Sequence, residues 1–271
     1  MKPVAEALLY DWPLEDLRAS CRSIEPALTI EVWPEIDSTN SELMRRARAG
    51  HAAPTLLVAE RQTLGRGRSG RVWHADPKRS LTFSIGLTPP LPPEPRAWSG
   101  LSLAVGVAVA GALHPEVGLK WPNDLWWRDH KLGGILIETT QVGSQRYAVV
   151  GIGLNLRMPL QDAIDPPGVG IDALLPGLDA PGLLLRVAPA VLAGLQRFGR
   201  EGLGAFLDDW RARDVLAGRA VRLSDGRVGK AIGIDADGAL QIEHAGGIER
   251  IESASLSVRP LDMASPLGLW P

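Results

Sequence analysis

The polar and apolar positions of this chain change character twice, once near residue 37 and again after residue 214. The first 36 residues are punctuated by Pro3, Pro13, Pro26 and Pro34 and show no sustained period. A helical pattern then predicts a helix over 40–49, with Thr39 as its cap and Glu42 completing a capping box. Apolar runs predict strands at Thr55–Glu60 and Leu81–Leu87, separated by a loop of glycine and arginine. Pro89, Pro90, Pro92, Pro93 and Pro95 predict an exposed excursion without chemistry of its own. The next elements are a helix over 99–113, a strand at Val117–Trp121 and a turn at Pro122–Asp124. Strands at Gly133–Glu138 and Tyr147–Leu154 follow, with Gln141–Gln145 as their hairpin connection. Beyond a loop holding Pro159, Pro166, Pro167, Gly168 and Gly170, helical patterns cover 183–200 and 202–213.

After Asp214 the pattern becomes five short stretches bounded by Asp225-Gly226, Asp235–Gly238 and Gly246-Gly247, which predicts a small antiparallel barrel. The main domain, over 1–214, is therefore α+β or mixed α/β, followed by a small β-barrel domain over 215–262 and a tail over 263–271. No internal repeat is visible.

Composition narrows the function. Hydrophobic residues make up 45% and charged residues 22% of 271, ordinary values for a globular protein with an adequate core. A net charge of −2 argues against bulk electrostatic binding to nucleic acid or an anionic membrane, so basic segments are local features. Cys21 is the single cysteine, which excludes an intramolecular disulfide, and nothing near it supplies a base. His51, His74, His114, His130 and His244 form no close ligand pair. The run Ala7–Tyr10 is too short for a signal segment, and Leu101–Leu113 is too short to span a bilayer, so a cytoplasmic protein is expected.

Two segments carry candidate chemistry. Gly65-Arg66-Gly67-Arg68-Ser69-Gly70-Arg71 interleaves glycines with arginines, which makes a loop both mobile and attractive to anions. It satisfies G-x-G-x-x-G, but no convincing helix opens at Arg71–Pro77 and no acidic residue follows at the required distance, so a dinucleotide fold is rejected. The second segment is Lys120-Trp121-Pro122-Asn123-Asp124, followed by Lys131-Leu132-Gly133-Gly134. Pro122 forces an extended or turn conformation at Trp121, so Asn123 and Asp124 project from a strand end, and Lys131 sits at the start of a strand. Clustered cations of this kind imply a ligand with several negative charges, such as phosphates or a phosphate beside a carboxylate.

With Asp37-Ser38-Thr39-Asn40, Glu60-Arg61-Gln62 and Gly151-Ile152-Gly153-Leu154-Asn155, these segments stand in one order and spacing over about 35–260. The chain thereby resembles the biotin protein ligase family, whose C-terminal domain is an SH3-like barrel. The resemblance implies that ATP activates biotin to biotinyl-5′-AMP and that biotin then passes to a lysine of a biotin carboxyl carrier protein. It implies biotin contacts from Ser38, Thr39, Asn40, Gln62, Arg66, Gly67, Arg68 and Lys131. Lys131 would be the catalytic lysine, supported by Arg68 and by Asp124, which would place Mg²⁺ or receive the acceptor amine's proton. Lys120, Asn123 and Asn155 would line the nucleotide side, with Trp73 as a wall of the pocket reaching the nucleotide. About 36 residues precede Asp37, too few for the winged-helix repressor domain that some members carry, so no DNA binding is expected, and no membrane partner either. A homodimer is compatible with the resemblance. The loop 157–172 holds no aromatic side chain that would cover an adenine.

Three rival readings remain at this stage. A lipoate-type ligase shares fold and adenylation logic, although the Lys-Trp-Pro-Asn-Asp segment favours biotin. A nucleic-acid binder would use Arg66–Arg71 and the nine tryptophans as stacking platforms, against the net charge. A non-catalytic biotin-binding scaffold would have no use for Lys131.

Overall fold

The computed structural model describes residues 8–89, 98–160, 166–252 and 257–262. The prolines at 90, 92, 93 and 95 and the tail over 263–271 lie outside the described residues. Seven strands form one mixed sheet in the order β1-β2-β3-β7-β6-β5-β4. They are β1 (Thr29–Ile36), β2 (Thr55–Gln62), β3 (Ser80–Leu87), β4 (Gly118–Lys120), β5 (Asp124–Trp127), β6 (His130–Val142) and β7 (Gln145–Asn155). Only β1 and β2 pair in parallel; the other five ladders are antiparallel. Pro34 sits in β1, an edge strand, where a missing N–H costs no ladder bond.

Alternation along the central strands splits the interior in two. Leu56 and Val58 of β2, Leu81, Phe83 and Ile85 of β3, and Val150, Ile152 and Leu154 of β7 belong to the larger core. That face is covered by helices α1 (Leu14–Arg22), α3 (Leu101–Leu113) and α4 (Ala180–Glu201). The alternate residues Leu57, Ala59, Tyr147 and Val149 pack with Leu43, Met44 and Ala47 of α2 (Thr39–Arg48) in a smaller core on the opposite face. On this second face the alternate positions of β3 and β7 nearer the site are polar or glycine: Thr82, Ser84, Gly151 and Gly153. The strands thus leave room there instead of filling it.

Several elements differ from the sequence expectation, each for a local reason. Ser38, extended at φ −161° and ψ 132°, caps α2 by accepting from the Ser41 N–H, so Thr39 is the first helical residue and its hydroxyl is free for other work. Glu42 binds Arg45 and Arg46 rather than closing a capping box. Gly100 (φ +78°) turns the chain just before α3, which therefore begins two residues later than expected. The expected turn at Pro122–Asp124 is shorter, because Asp124 already opens β5. The β6–β7 hairpin closes over Gly143 (φ +59°) and Ser144, so both strands extend beyond the expected bounds. The last helical pattern divides into a 3₁₀ turn, Leu203–Phe206, and the short helix α5, Leu207–Arg211.

The C-terminal strands β8 (Ala220–Leu223), β9 (Val228–Ile234), β10 (Leu240–His244), β11 (Gly247–Ile251) and β12 (Val258–Pro260) form a five-stranded antiparallel sheet ordered β11-β10-β9-β8-β12. Its buried residues, including Val221, Ala231, Leu240 and Val258, are continuous with the larger core. Polar contacts fasten it, among them the Trp121 indole donating to the Gly238 carbonyl (3.0 Å) and the Ser99 hydroxyl to the Asp237 carbonyl (2.7 Å).

Candidate active site

A cavity of about 190 Å³ opens on the α2 face of the large sheet. Every residue to which the resemblance gave a contact or role lines it: Ser38, Thr39, Asn40, Gln62, Arg66, Gly67, Arg68, Trp73, Lys120, Asn123, Asp124, Lys131 and Asn155. The cavity has two chemically distinct ends.

The first end is uncharged. Its floor is made by Gly151, Leu136 and Ile152, and its walls by the start of α2. Gly151 is required by close approach, because a Cβ there would lie 2.1 Å from Asn40 Oδ1. Gln62 Oε1 accepts from the Thr39 amide (2.7 Å) and hydroxyl (3.1 Å). The Thr39 and Ser84 hydroxyls are 2.7 Å apart, and Ser84 donates to Asn40 Oδ1 (2.6 Å). Asn40 Nδ2 in turn donates to the Leu136 carbonyl (3.3 Å) and to Glu138 Oε2 (3.0 Å). Ser84 was missed by sequence reasoning, and Glu138 was given no role there. Ser84 interrupts an apolar strand and reads as an ordinary strand residue, and Glu138 reads as the polar end of one.

The second end is cationic. Arg66, Arg68, Arg71, Lys120 and Lys131 all line the cavity, and Asp124 is the one carboxylate among its lining residues. Lys120 and Asp124 face each other across the β4–β5 ladder, and a bulge between Leu125 and Trp126 sets Lys131 beside them. Lys131 Nζ is 2.7 Å from Asp124 Oδ1, and Lys120 Nζ is 3.8 Å from Oδ2. Burial raises the Asp124 carboxyl, but Lys131 and Lys120 outweigh it and hold the group below its usual range. Lys120 is 6% exposed. Burial pulls its ammonium from 10.5 to about 8, with Asp124 opposing the fall. Burial also draws the Arg68 guanidinium down.

The backbone of Lys131 is clamped. Its N–H donates to the Pro167 carbonyl (2.8 Å), and its own carbonyl accepts from Val169 N–H (3.0 Å) and Asn155 Nδ2 (3.1 Å). Asn123 similarly spends its amide on the Ile135 carbonyl (2.9 Å). Both asparagines therefore brace β6 while bordering the cavity.

The glycine–arginine loop folds back on itself through Gly67 N–H to the Arg71 carbonyl (2.7 Å) and Trp73 N–H to the Gly65 carbonyl (3.0 Å). Its middle is a 3₁₀ turn at Arg68–Gly70, followed by extended Arg71. No helix opens there, in keeping with the rejected dinucleotide fingerprint. The Trp73 indole lies against Gly153, where a Cβ would come within 2.4 Å of the ring, and Lys131 Nζ stands 6.0 Å from its centroid. Trp73 Nε1 is buried with no protein acceptor. Arg71 reaches the Ser257 hydroxyl (3.2 Å), so the C-terminal unit touches the rim.

A divalent cation directly on Asp124 does not fit this arrangement, because each carboxylate oxygen already faces an ammonium group. Mg²⁺ commonly travels with the phosphates of a nucleotide substrate and keeps much of its water, a role that asks nothing of Asp124.

Fold and cavity together place the chain in the class of the biotin and lipoate ligases. Residues 32–155 match the biotin/lipoate A/B protein ligase family, and residues 217–259 match the biotin protein ligase C-terminal domain. The bifunctional ligase/repressor BirA of Salmonella typhimurium is 35% identical over 243 residues, covering 85% of this chain and 74% of its own. A biotin–[acetyl-CoA-carboxylase] ligase of Mycobacterium tuberculosis is 36% identical over 235 residues, covering 80% of this chain and 84% of its own. Among solved structures, a biotin protein ligase from Aquifex aeolicus in complex with biotin and ATP superposes with a TM-score of 0.72. It shares 28% identity, and the match covers 86% of this chain and 99% of that one. The chain belongs to the biotin protein ligase family. Among the described residues, no helix is long and apolar enough to cross a membrane.

Proposed function

We propose that this chain activates biotin with ATP to biotinyl-5′-AMP and transfers the biotinyl group to a lysine of a biotin carboxyl carrier domain. The observation that carries the reading is the two-ended cavity. Biotin is an apolar bicycle with a ureido group and a carboxylate tail. The uncharged end offers donors and acceptors from Ser38, Thr39, Asn40 and Gln62, and the cationic end receives what is negatively charged.

In the first step a biotin carboxylate oxygen attacks the α-phosphorus, and the bond to the leaving pyrophosphate breaks. Two anions must approach, so fixed positive charge in a water-poor site lowers the barrier. Lys131 is assigned to the carboxylate and the α-phosphoryl oxygens, with Asp124 aiming its ammonium. Arg68 and Arg66, with Gly67 between them, close over the same atoms, and Lys120 adds charge from beneath. Trp73 offers its ring to the nucleotide, beside Asn123 and Asn155. In the second step the acceptor amine attacks the acyl carbon, and AMP departs with the anhydride oxygen. The amine's proton leaves through water or Asp124. The intermediate is already activated, so no enzyme nucleophile is needed. Cys21 accordingly lies buried in the core away from the cavity, its thiol pushed up by burial.

A homodimer is compatible with this reading. Neither DNA nor a membrane enters it, and the setting is the cytoplasm. The test is ATP–pyrophosphate exchange run with biotin, with lipoate and with no acid. Biotin-dependent exchange that disappears in Lys131→Ala, with the fold retained, is the expected result. Exchange with lipoate alone would overturn the substrate, and exchange in neither case would overturn the activity.

A further inference from the structure

The hydrogen-bond chain at the uncharged end continues to the arginine loop through one residue that the proposed mechanism leaves idle. Glu138 stands on β6, facing the cavity side of the sheet. Its Oε2 accepts from Asn40 Nδ2 (3.0 Å), and its Oε1 pairs with Arg66 Nη1 (3.1 Å). The Arg66 side chain is 51% exposed and that of Glu138 22%, so the ion pair sits at a boundary where the loop meets the sheet.

The orientation of Asn40 is fixed by its surroundings. Flipping the amide would set its oxygen against the Glu138 carboxylate and the Leu136 carbonyl, two acceptors, so the nitrogen belongs toward Glu138 and the oxygen toward Ser84. Asn40 Oδ1 takes the only proton Ser84 has to give. Thr39 then has a single hydroxyl proton to share between Ser84 and Gln62 Oε1, both within 3.1 Å. The chain is one proton short, so an added ligand donor can be accepted without expelling a partner. A group bound against Thr39 and Asn40 thereby acts on the same amide that Glu138 holds.

We propose that Glu138 is the latch of the loop: a positioning residue that grips Arg66 with one oxygen and senses the biotin end of the cavity, through Asn40, with the other. The inference rests on the proposed biotin-ligase reading for its ligand, but the Arg66–Glu138 grip itself does not. Its role is to keep biotinyl-AMP enclosed between the two half-reactions, where escape or hydrolysis would waste it. Glu138 touches no reacting atom.

Glu138→Gln is the informative variant, because the glutamine carbonyl still accepts from Asn40 while the charge opposite Arg66 is lost. Arg66→Gln removes the other partner, and the two are combined in a cycle. Two readouts are taken on the full chain: cutting of 64–72 by subtilisin in the ligand-free protein, and release of biotinyl-AMP from a preformed complex. Glu138→Gln is expected to raise both rates about fivefold, the scale of a partly exposed charged hydrogen bond. It should leave the maximal exchange rate within about twofold of the parent, a split that general loosening of the fold would not give. The double variant should be no worse than the worse single variant.

Unchanged cutting in Glu138→Gln, or effects that multiply in the double variant, would overturn the latch. A parent protein without biotin-dependent exchange would overturn the functional reading alone, since the cutting assay needs no ligand and still decides on the grip.

Discussion

Replacing Lys120 with methionine is expected to make the protein more stable at neutral pH and at the same time inactive. Lys120 is buried beneath the cavity, 5.3 Å from the centroid of Trp126 and 3.8 Å from Asp124 Oδ2. Its ammonium falls from 10.5 to about 8, chiefly through burial. At about 1.4 kcal/mol per pH unit, the folded state bears about 3 kcal/mol whenever this lysine is charged. Methionine has nearly the same length, carries no charge, and packs well against an indole. Asp124 keeps Lys131 at 2.7 Å, but it loses its second partner, so a net gain of about 1–2 kcal/mol is expected. The sign follows from the direction of the shift. The folded-state value lies below the unfolded one, so the penalty is complete below pH 8, shrinks between pH 8 and 10.5, and vanishes above. Urea midpoints of parent and variant should therefore differ most at pH 7 and converge toward pH 10. In the parent, KM for ATP should also rise as the pH passes 8 and this charge is lost. A variant less stable than the parent at pH 7, or a gap that does not narrow with pH, would refute the reasoning.

Gly153→Ala places a methyl group 2.4 Å from the Trp73 ring. The indole must move, so a KM for ATP raised about tenfold with little change in KM for biotin is expected from steady-state exchange. Ser84→Ala leaves Asn40 Oδ1 and the Thr39 hydroxyl short of a partner in a buried site, which should raise KM for biotin about tenfold while KM for ATP holds. Asp214 has its carboxyl pushed up to about 6 by burial, and its Oδ2 is buried without a partner. Asp214→Asn keeps an acceptor for the Leu216 N–H and should gain about 1–2 kcal/mol above pH 6. Because the folded-state value is raised, the parent's stability is full below about pH 4 and declines up to pH 6. The advantage of the asparagine should therefore disappear in thermal melts at pH 4.

The sheet's central strands and α2 were readable because their periods are strong and local. The cavity was readable because its residues cluster in short motifs, and those motifs fall at the same ends of adjacent strands. What escaped reading depends on distant partners. Ser84 finds its partners more than 40 residues away in sequence, and Glu138 nearly 100. Nothing within either strand distinguishes a hydroxyl or carboxylate that joins a network from one that faces water. Ser38 and Thr39 are both good caps, and the choice between them turns on where Thr39 is needed, in the chain with Gln62 and Ser84. β1 escaped because Pro34 argues against a strand, and only its position at the sheet's edge makes the proline harmless. α1 is a short helix without a side-chain cap, anchored from outside its own sequence by packing on α4. The segment before it is tied by Glu60, which accepts from the Tyr10 N–H and the Trp12 indole.

The stitching of the two sheets sets an order on the chain as it leaves the ribosome. β4 gains its outer neighbour only when Arg213 and Val215 arrive to bond both sides of Leu119, and Trp121 waits for the carbonyl of Gly238. Ser257, which completes the rim beside Arg71, comes later still. The uncharged end of the cavity uses residues between Ser38 and Ile152, so its parts are all synthesised before the cationic end can be braced. A nascent chain would thus hold the means to cradle the small acid well before its charged half is held in place for chemistry.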